Sequence, residues 1–378
     1  MKKHLLVSAL VFMCAFSAHA EDFSEYYTNF KDLLNKKYGL SYSLDYSLLA
    51  QHASPNGKYN AVQSYLAPSI TWTTFNNRYG TGTLNASYNS VFYSRHNAVD
   101  IQNRTGMVTA INDFDDKEQS LSSLYYAYQL PNRYNWLTLA VGQYTLYAFD
   151  GNDYNSNQQT TFLNYSLSQN GSATYADAGL GAYVQMTPGN WSFIAGMQDA
   201  SNIEAQGIKF NTFKDKHYTT FGQIGYNPNI KFLGKGQYSV MVYNQPRVKK
   251  QPHTTTGWSV NMQQNLGEKA ALFGRVNGVT GDVSEIKNSY VIGLVYNNPL
   301  NRNSLDQIGL AYAYNDIDAK AVGKKTARNG EQILETYWAW GVSSWATLTP
   351  DFQFYIHPAL NYKSKYATAA SLRLSLFF

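Results

Sequence analysis

YATAASLRLSLFF, residues 366–378, is the stretch that decides how the chain is read. Ala370, Leu372, Leu374, Leu376 and Phe378 alternate with Ser371, Arg373 and Ser375. A period of two puts apolar side chains on one face of an extended strand and polar ones on the other. The ends of soluble domains usually fray into water. A strand that keeps its apolar face up to a closing Phe suits a barrel wall instead. There it would pair with the first strand and turn its apolar face to lipid. The edge strand of a soluble sandwich is the alternative, and the rest of the chain argues against it.

The beginning of the chain supplies a compartment. Lys2 and Lys3 precede an apolar run from Leu5 to Phe16, and Ala18-His19-Ala20 comes next as a small-residue cleavage site. This pattern predicts a secretory leader over residues 1–20. The single cysteine, Cys14, lies inside it, so the exported chain has no disulfide framework. The formal charge of +5 includes Lys2 and Lys3 of the leader, and the remainder is too small to suggest nucleic acid as a partner. Beyond the leader no apolar run approaches the roughly 18–20 residues that a spanning helix needs. Aromatic residues make up 15% of the chain and charged residues also 15%. The charged share is below the roughly 25% of an ordinary soluble domain. Rich in Tyr, poor in charge and exported, the chain has the composition of an outer-membrane barrel of Gram-negative bacteria, whose polar lumen keeps mean hydropathy low.

Residues 21–38 differ in pattern from the rest of the exported chain. Phe23, Tyr27, Phe30 and Leu34 recur at helical spacing, with Asp22 and Glu25 near the start and Lys36 and Lys37 near the end. The pattern predicts a short amphipathic helix that either caps the barrel mouth or enters the lumen. From 39 to 378 the chain reads as one all-β domain, a transmembrane antiparallel β-barrel. Strands are expected near 40–51, 60–76, 82–97, 118–130, 134–144, 175–187, 190–200 and 216–227. Others are expected near 234–245, 255–266, 269–280, 288–298, 304–316, 331–347, 350–358 and 366–378, which makes about sixteen. Tight turns are expected at 131–133, 188–189, 267–268 and at Leu348-Thr349. Longer connections fall at 98–117, 145–174, 201–215, 246–254, 317–330 and 359–365. Short and long connections alternate, as in a barrel with both termini in the periplasm. The 145–174 loop, rich in Tyr, Asn and Gln, is long enough to fold into the pore.

Alternation also sorts the lumen from the lipid face. It turns Asp45, Tyr93, Arg95, Arg275, Glu335, Tyr337, Asp351, Gln353, Tyr355 and Arg373 inward. An Arg facing lipid at the bilayer midplane would cost about 2–4 kcal/mol. Inside, charged groups could bind sugar hydroxyls, and Tyr rings could meet the C–H side of a sugar. The same side chains could equally be salt bridges that hold the wall together.

At the C-terminal end the chain resembles the carbohydrate-selective outer-membrane porins of the OprB type. The resemblance is carried by LETYWAWGVSSWATLTPDFQFYIHP (334–358), by ATAASLRLSLFF (367–378), by FGRVNG (273–278) and by SYVIGLVYNNPLNRNSLDQIGLAYAY (289–314). Pro350, Asp351, Gln353 and Pro358 stand at the family's motif positions. Its luminal arginines match Arg275 and Arg373, and its Glu matches Glu335. Ala359-Leu360-Asn361 stands where the family usually has glycines. The resemblance implies a sixteen-stranded barrel with an Arg- and carboxylate-lined constriction through which small neutral sugars diffuse without a cofactor.

Competing chemistry is weakly supported. His52, His96, His217, His253 and His357 sit in no nucleophile or metal-pair motif. The acidic stretches Asp113–Asp116 and Asp150–Asn155 lack the full spacing of a calcium loop and read as solvated loops. The remaining rivals are a general or ion-selective porin and an adhesion or structural barrel that acts through its outer loops. Apolar outer strands look alike whether they meet membrane lipid or a neighbouring copy, so both a monomer and a homo-oligomer fit.

Overall fold

The computed structural model describes residues 26–55, 60–281 and 283–378. The expected leader, and Asp22, Phe23 and Glu25 of the expected helix, lie outside the described residues. The strands are β1 (Leu40–Ser54), β2 (Asn60–Asn77), β3 (Gly80–Arg95), β4 (Glu118–Gln129), β5 (Leu137–Tyr144), β6 (Gly179–Met186), β7 (Trp191–Asp199) and β8 (Tyr218–Tyr226). After a two-residue β9 (Asn229–Ile230) come β10 (Gly234–Gln245), β11 (Thr255–Leu266), β12 (Ala270–Val279) and β13 (Ile286–Asn297). The series ends with β14 (Gln307–Ile317), β15 (Gly330–Ser343), β16 (Ala346–Ile356) and β17 (Tyr366–Phe377).

Each long strand pairs antiparallel with its neighbour in the chain, and β17 pairs with β1. Apart from the short β9, this is a closed sixteen-stranded barrel. Closure has a physical cause. A bilayer offers no hydrogen bonds, so a sheet edge facing lipid would cost several kcal/mol for each unpaired group. The seam is complete to the last residue: Leu44 N donates to Phe378 O at 2.8 Å, and Phe378 N donates to Leu44 O at 3.2 Å.

The faces fall where alternation puts them. On β17, Ser371, Arg373 and Ser375 are buried, whereas Leu372 is 48% exposed. Outward aromatics gather in two belts. Trp72, Trp191, Tyr226, Tyr296 and Trp340 mark the short-turn end, and Phe92, Tyr290, Tyr314 and Tyr366 mark the loop end. Such belts sit at the two membrane–water interfaces. One expected turn moves. The hairpin between β15 and β16 turns at Ser344-Trp345, and Leu348-Thr349 lies within β16. Strand β15 therefore ends at Ser343, sooner than the expected 347.

Helix α1 spans residues 26–38 at the short-turn end. The Tyr27 ring lies 6.2 Å from Tyr42 and 6.4 Å from Phe378, so the helix caps the closing seam. Three inward glycines lie under rings from the neighbouring strand: Gly257 under Tyr243, Gly293 under Phe273 and Gly309 under Tyr337. At Gly309 an added Cβ would stand 2.3 Å from the Tyr337 ring and 2.8 Å from Phe162. Gly309→Val should therefore lower barrel stability by about 1–3 kcal/mol, read as a shift in the urea unfolding midpoint in lipid vesicles. An unchanged midpoint would mean that the ring is free to move.

Candidate functional site

Two long loops on the side opposite both described ends of the barrel fold inward. The first, 96–117, begins with helix α2 (Ala98–Thr105), capped by Asn97. The second, 145–178, contains the short α3 (Tyr165–Ser168) and crosses to the far wall. Both bring backbone N–H and C=O groups into the barrel, and the wall satisfies them. Glu335 accepts from the N–H groups of Leu163 and Asn164, the latter at 2.9 Å. Arg373 donates to the carbonyls of Gln158 and Thr161, the latter at 2.8 Å. Arg275 donates to Asn155 O at 2.5 Å and to Asn261 Oδ1 at 2.8 Å. Glu331 accepts from Val108 N, Thr109 N and Ala359 N at 2.7–3.1 Å. Gln353 donates to Ile111 O at 2.9 Å, and Tyr355 to Thr109 O at 3.3 Å.

This changes the standing of the sequence candidates. Arg275, Glu335, Tyr337, Asp351, Gln353, Tyr355 and Arg373 do face inward, but all are buried beneath the inserted loops. Asp351 lies beside Arg373 and Glu335 and helps to balance the buried guanidinium. Tyr337 covers Gly309 and meets the Phe162 ring edge-on at 4.8 Å. Tyr93 is half-buried and donates to Phe114 O at 2.6 Å. Arg95 is exposed at the end of β3, with φ of 75°, away from the lumen cavities. Asp45 alone of the ten borders open lumen.

The open space lies against β1–β4. An outer cavity of about 460 Å³ and an inner one of about 320 Å³ share Asp113, Phe114, Glu118, Tyr147, Tyr165 and Asp177. These six form a collar between the outer loops and the inner chamber. The inner chamber adds Asp45, Tyr65, Tyr88 and a row of Ser, Asn and Gln side chains. Among its described lining residues there is no Lys or Arg. The outer cavity adds Asp115, Asp116 and Glu204 against Lys117, and Glu204 is itself paired with Lys250. Asp113 accepts from Ser168 and Gln169, and burial pushes its carboxyl up to about 7. Burial, with Glu118 and Glu204 nearby, pushes Asp177 up to about 7 as well.

The acidic stretch at 113–116 is thus a luminal lining rather than a solvated loop. Asp150 is buried, with Asn170, Tyr175, Ser259 and Asn261 donating to it. Among the described residues, no group of three His, Cys, Asp or Glu is placed to hold a metal ion. Sequence reasoning missed Glu118, Asp177, Tyr147 and Tyr165 as a set. For Tyr147, Tyr165 and Asp177 the one signal was a loop long enough to reach the lumen, whereas Glu118 opens strand β4.

Over residues 68–378 the chain matches the family described as "Carbohydrate-selective porin, OprB family". The chain belongs to this family. Among curated relatives, Porin AaxA of Chlamydia abortus is 39% identical over 336 residues, covering 86% of this chain and 74% of the relative. Porin AaxA of Chlamydia pneumoniae is 39% identical over 345 residues, covering 88% and 78%. Among solved structures, Pseudomonas putida OprB at high pH aligns with a TM-score of 0.74 at 14% identity, covering 93% of this chain and 97% of that one. The low-pH structure of the same porin gives 0.58 at 14% identity, covering 93% and 96%. These structural likenesses bear on the fold. As an OprB-family porin, the protein is an outer-membrane channel.

The latches make a prediction. Replacing Arg275 and Arg373 by Met removes charge-assisted bonds worth about 1.5–3 kcal/mol each to the loop backbone. The barrel should still form, judged by heat-modifiable gel migration, while single-channel conductance rises as loop 145–178 loosens. Unchanged conductance would show that the loop holds its place without them.

Proposed function

We propose that the protein is a passive channel for small polar solutes that carry hydroxyl or cationic groups, and that it disfavours anions. The observation that carries this reading is the collar and chamber: Asp45, Asp113, Glu118 and Asp177, set among Tyr65, Phe114, Tyr147 and Tyr165. A neutral sugar, the substrate class named in the family's description, would give hydroxyl protons to the carboxylates and lay its C–H face on a ring. Such contacts replace lost hydration yet release the solute, as flux requires. The same carboxylates favour a second reading, a preference for small cations, because a charge held in a narrow passage is poorly screened. Residues 1–20 would act as the export leader, and the solute would enter at the loop end.

Planar-bilayer recording tests this. A salt gradient should give a reversal potential of cation preference. A neutral sugar should reduce conductance saturably, whereas a dicarboxylate should not. Block by the dicarboxylate alone, or anion preference, would overturn the reading.

The collar also fixes a pH dependence. A carboxyl whose pKa is raised is neutral below that value and charged above it. With Asp113 and Asp177 both near 7, cation preference should be full at about pH 8 and weakened at about pH 6. The double variant Asp113→Asn, Asp177→Asn should flatten this profile. A wild-type profile that is already flat would remove these two groups from the passage.

A further inference from the structure

The loop ends of β14 to β17 carry a charge cluster that the channel does not use. Loops 318–329 and 357–365 lie side by side there. Ala327 N donates to Ala359 O at 2.7 Å, and Tyr362 Oη donates to Lys325 O at 2.7 Å. Together they present Lys324, Lys325, Arg328, Lys363 and Lys365, all exposed.

The nearby carboxylates are engaged or outnumbered. Asp318 accepts from Lys320 N at 2.8 Å at the start of a one-turn helix. Glu331 is buried under three backbone N–H groups. Glu285 is the acid that faces Lys324.

Directly beneath lies the outward aromatic belt. Tyr366 is 53% exposed and stacks on Phe354 at 5.4 Å, and Tyr362 is 62% exposed. Rings of this kind settle at the headgroup level of a bilayer. Lys365 precedes Tyr366 in the chain, so the belt sets the height of the cations above it. Lys and Arg at that height extend flexible stems to lipid phosphates.

We propose that this surface binds the phosphate groups of anionic lipids in the outer leaflet. The assignment of leaflet rests on the porin reading, which turns the long loops outward. The two-loop construction distinguishes the site from scattered surface lysines, because hydrogen bonds hold its cations above one arc of the aromatic belt.

The test uses the full chain folded in vesicles of mixed phosphatidylglycerol and phosphatidylcholine, extracted in mild detergent. Native mass spectrometry then counts the lipids retained. The wild type should retain phosphatidylglycerol in preference to phosphatidylcholine, and added salt should weaken that preference. Replacing the five cations by Gln should cut the preference by about tenfold or more, with heat-modifiable migration confirming the fold. Lys214→Gln with Lys216→Gln, on another outer loop, should leave it intact. Equal retention of both lipids by the wild type would sink the proposal. So would displacement of phosphatidylglycerol by inorganic phosphate at matched concentration, which would mark a site for free anions. Conductance measured on the same preparation separates the two readings. A conducting barrel without lipid preference fails here alone, and a silent barrel that retains anionic lipid fails as a porin.

Discussion

A chain segment that crosses the inside of a barrel brings its own unpaired N–H and C=O groups with it. Those groups must be answered by the wall or by water, because a buried and unanswered amide costs more than most contacts return. Here the wall answers them, and the sign of each side chain follows from the group it serves. Glu331 and Glu335 meet amide N–H groups at 108–109 and 163–164. Arg275 and Arg373 meet carbonyls at 155, 158 and 161. The inward charges of β12, β15 and β17 are therefore loop anchors before they are anything else.

This divides the lumen. The arc from β11 to β17 is filled by loop, and the arc from β1 to β4 stays open. Arg275 and Arg373 are drawn out of the passage by their carbonyl partners, whereas Asp45, Asp113, Glu118 and Asp177 remain in it. A chain with formal charge +5 thus encloses an acidic collar. Net charge describes the whole surface. Permeation responds to the few groups within a Debye length of the solute path.

The barrel was legible because lipid imposes a strict rule. Every second residue of a spanning strand must be apolar, and no edge can stay open, so the pattern at 366–378 and its likes elsewhere determine strands, faces and closure together. Inward direction was legible for the same reason: Arg373 and Glu335 point where alternation sends them. What each inward residue touches was not legible. Alternation is a local property, whereas the contacts of Arg373 with Gln158 and Thr161 join residues more than two hundred positions apart. The turn at Ser344-Trp345 was missed for a smaller reason, since Trp and Val continue an apolar face without marking where it ends.

The anchors explain why wall and selectivity can vary separately. They grip loop backbone, which every residue but proline offers in the same form. The loop side chains on the passage face, Asp113, Tyr147, Tyr165 and Asp177 among them, are bound by no such requirement. If the proposed passage is right, their exchange would alter what passes while leaving the barrel and its latches in place. Pseudomonas putida OprB aligns over 93% of this chain at 14% identity, so the architecture persists through wholesale change of side chains. A shared barrel accordingly carries little information about the solute. On the proposed reading that information sits in the collar, where loop geometry set by the wall meets loop side chains such as Asp113 and Asp177.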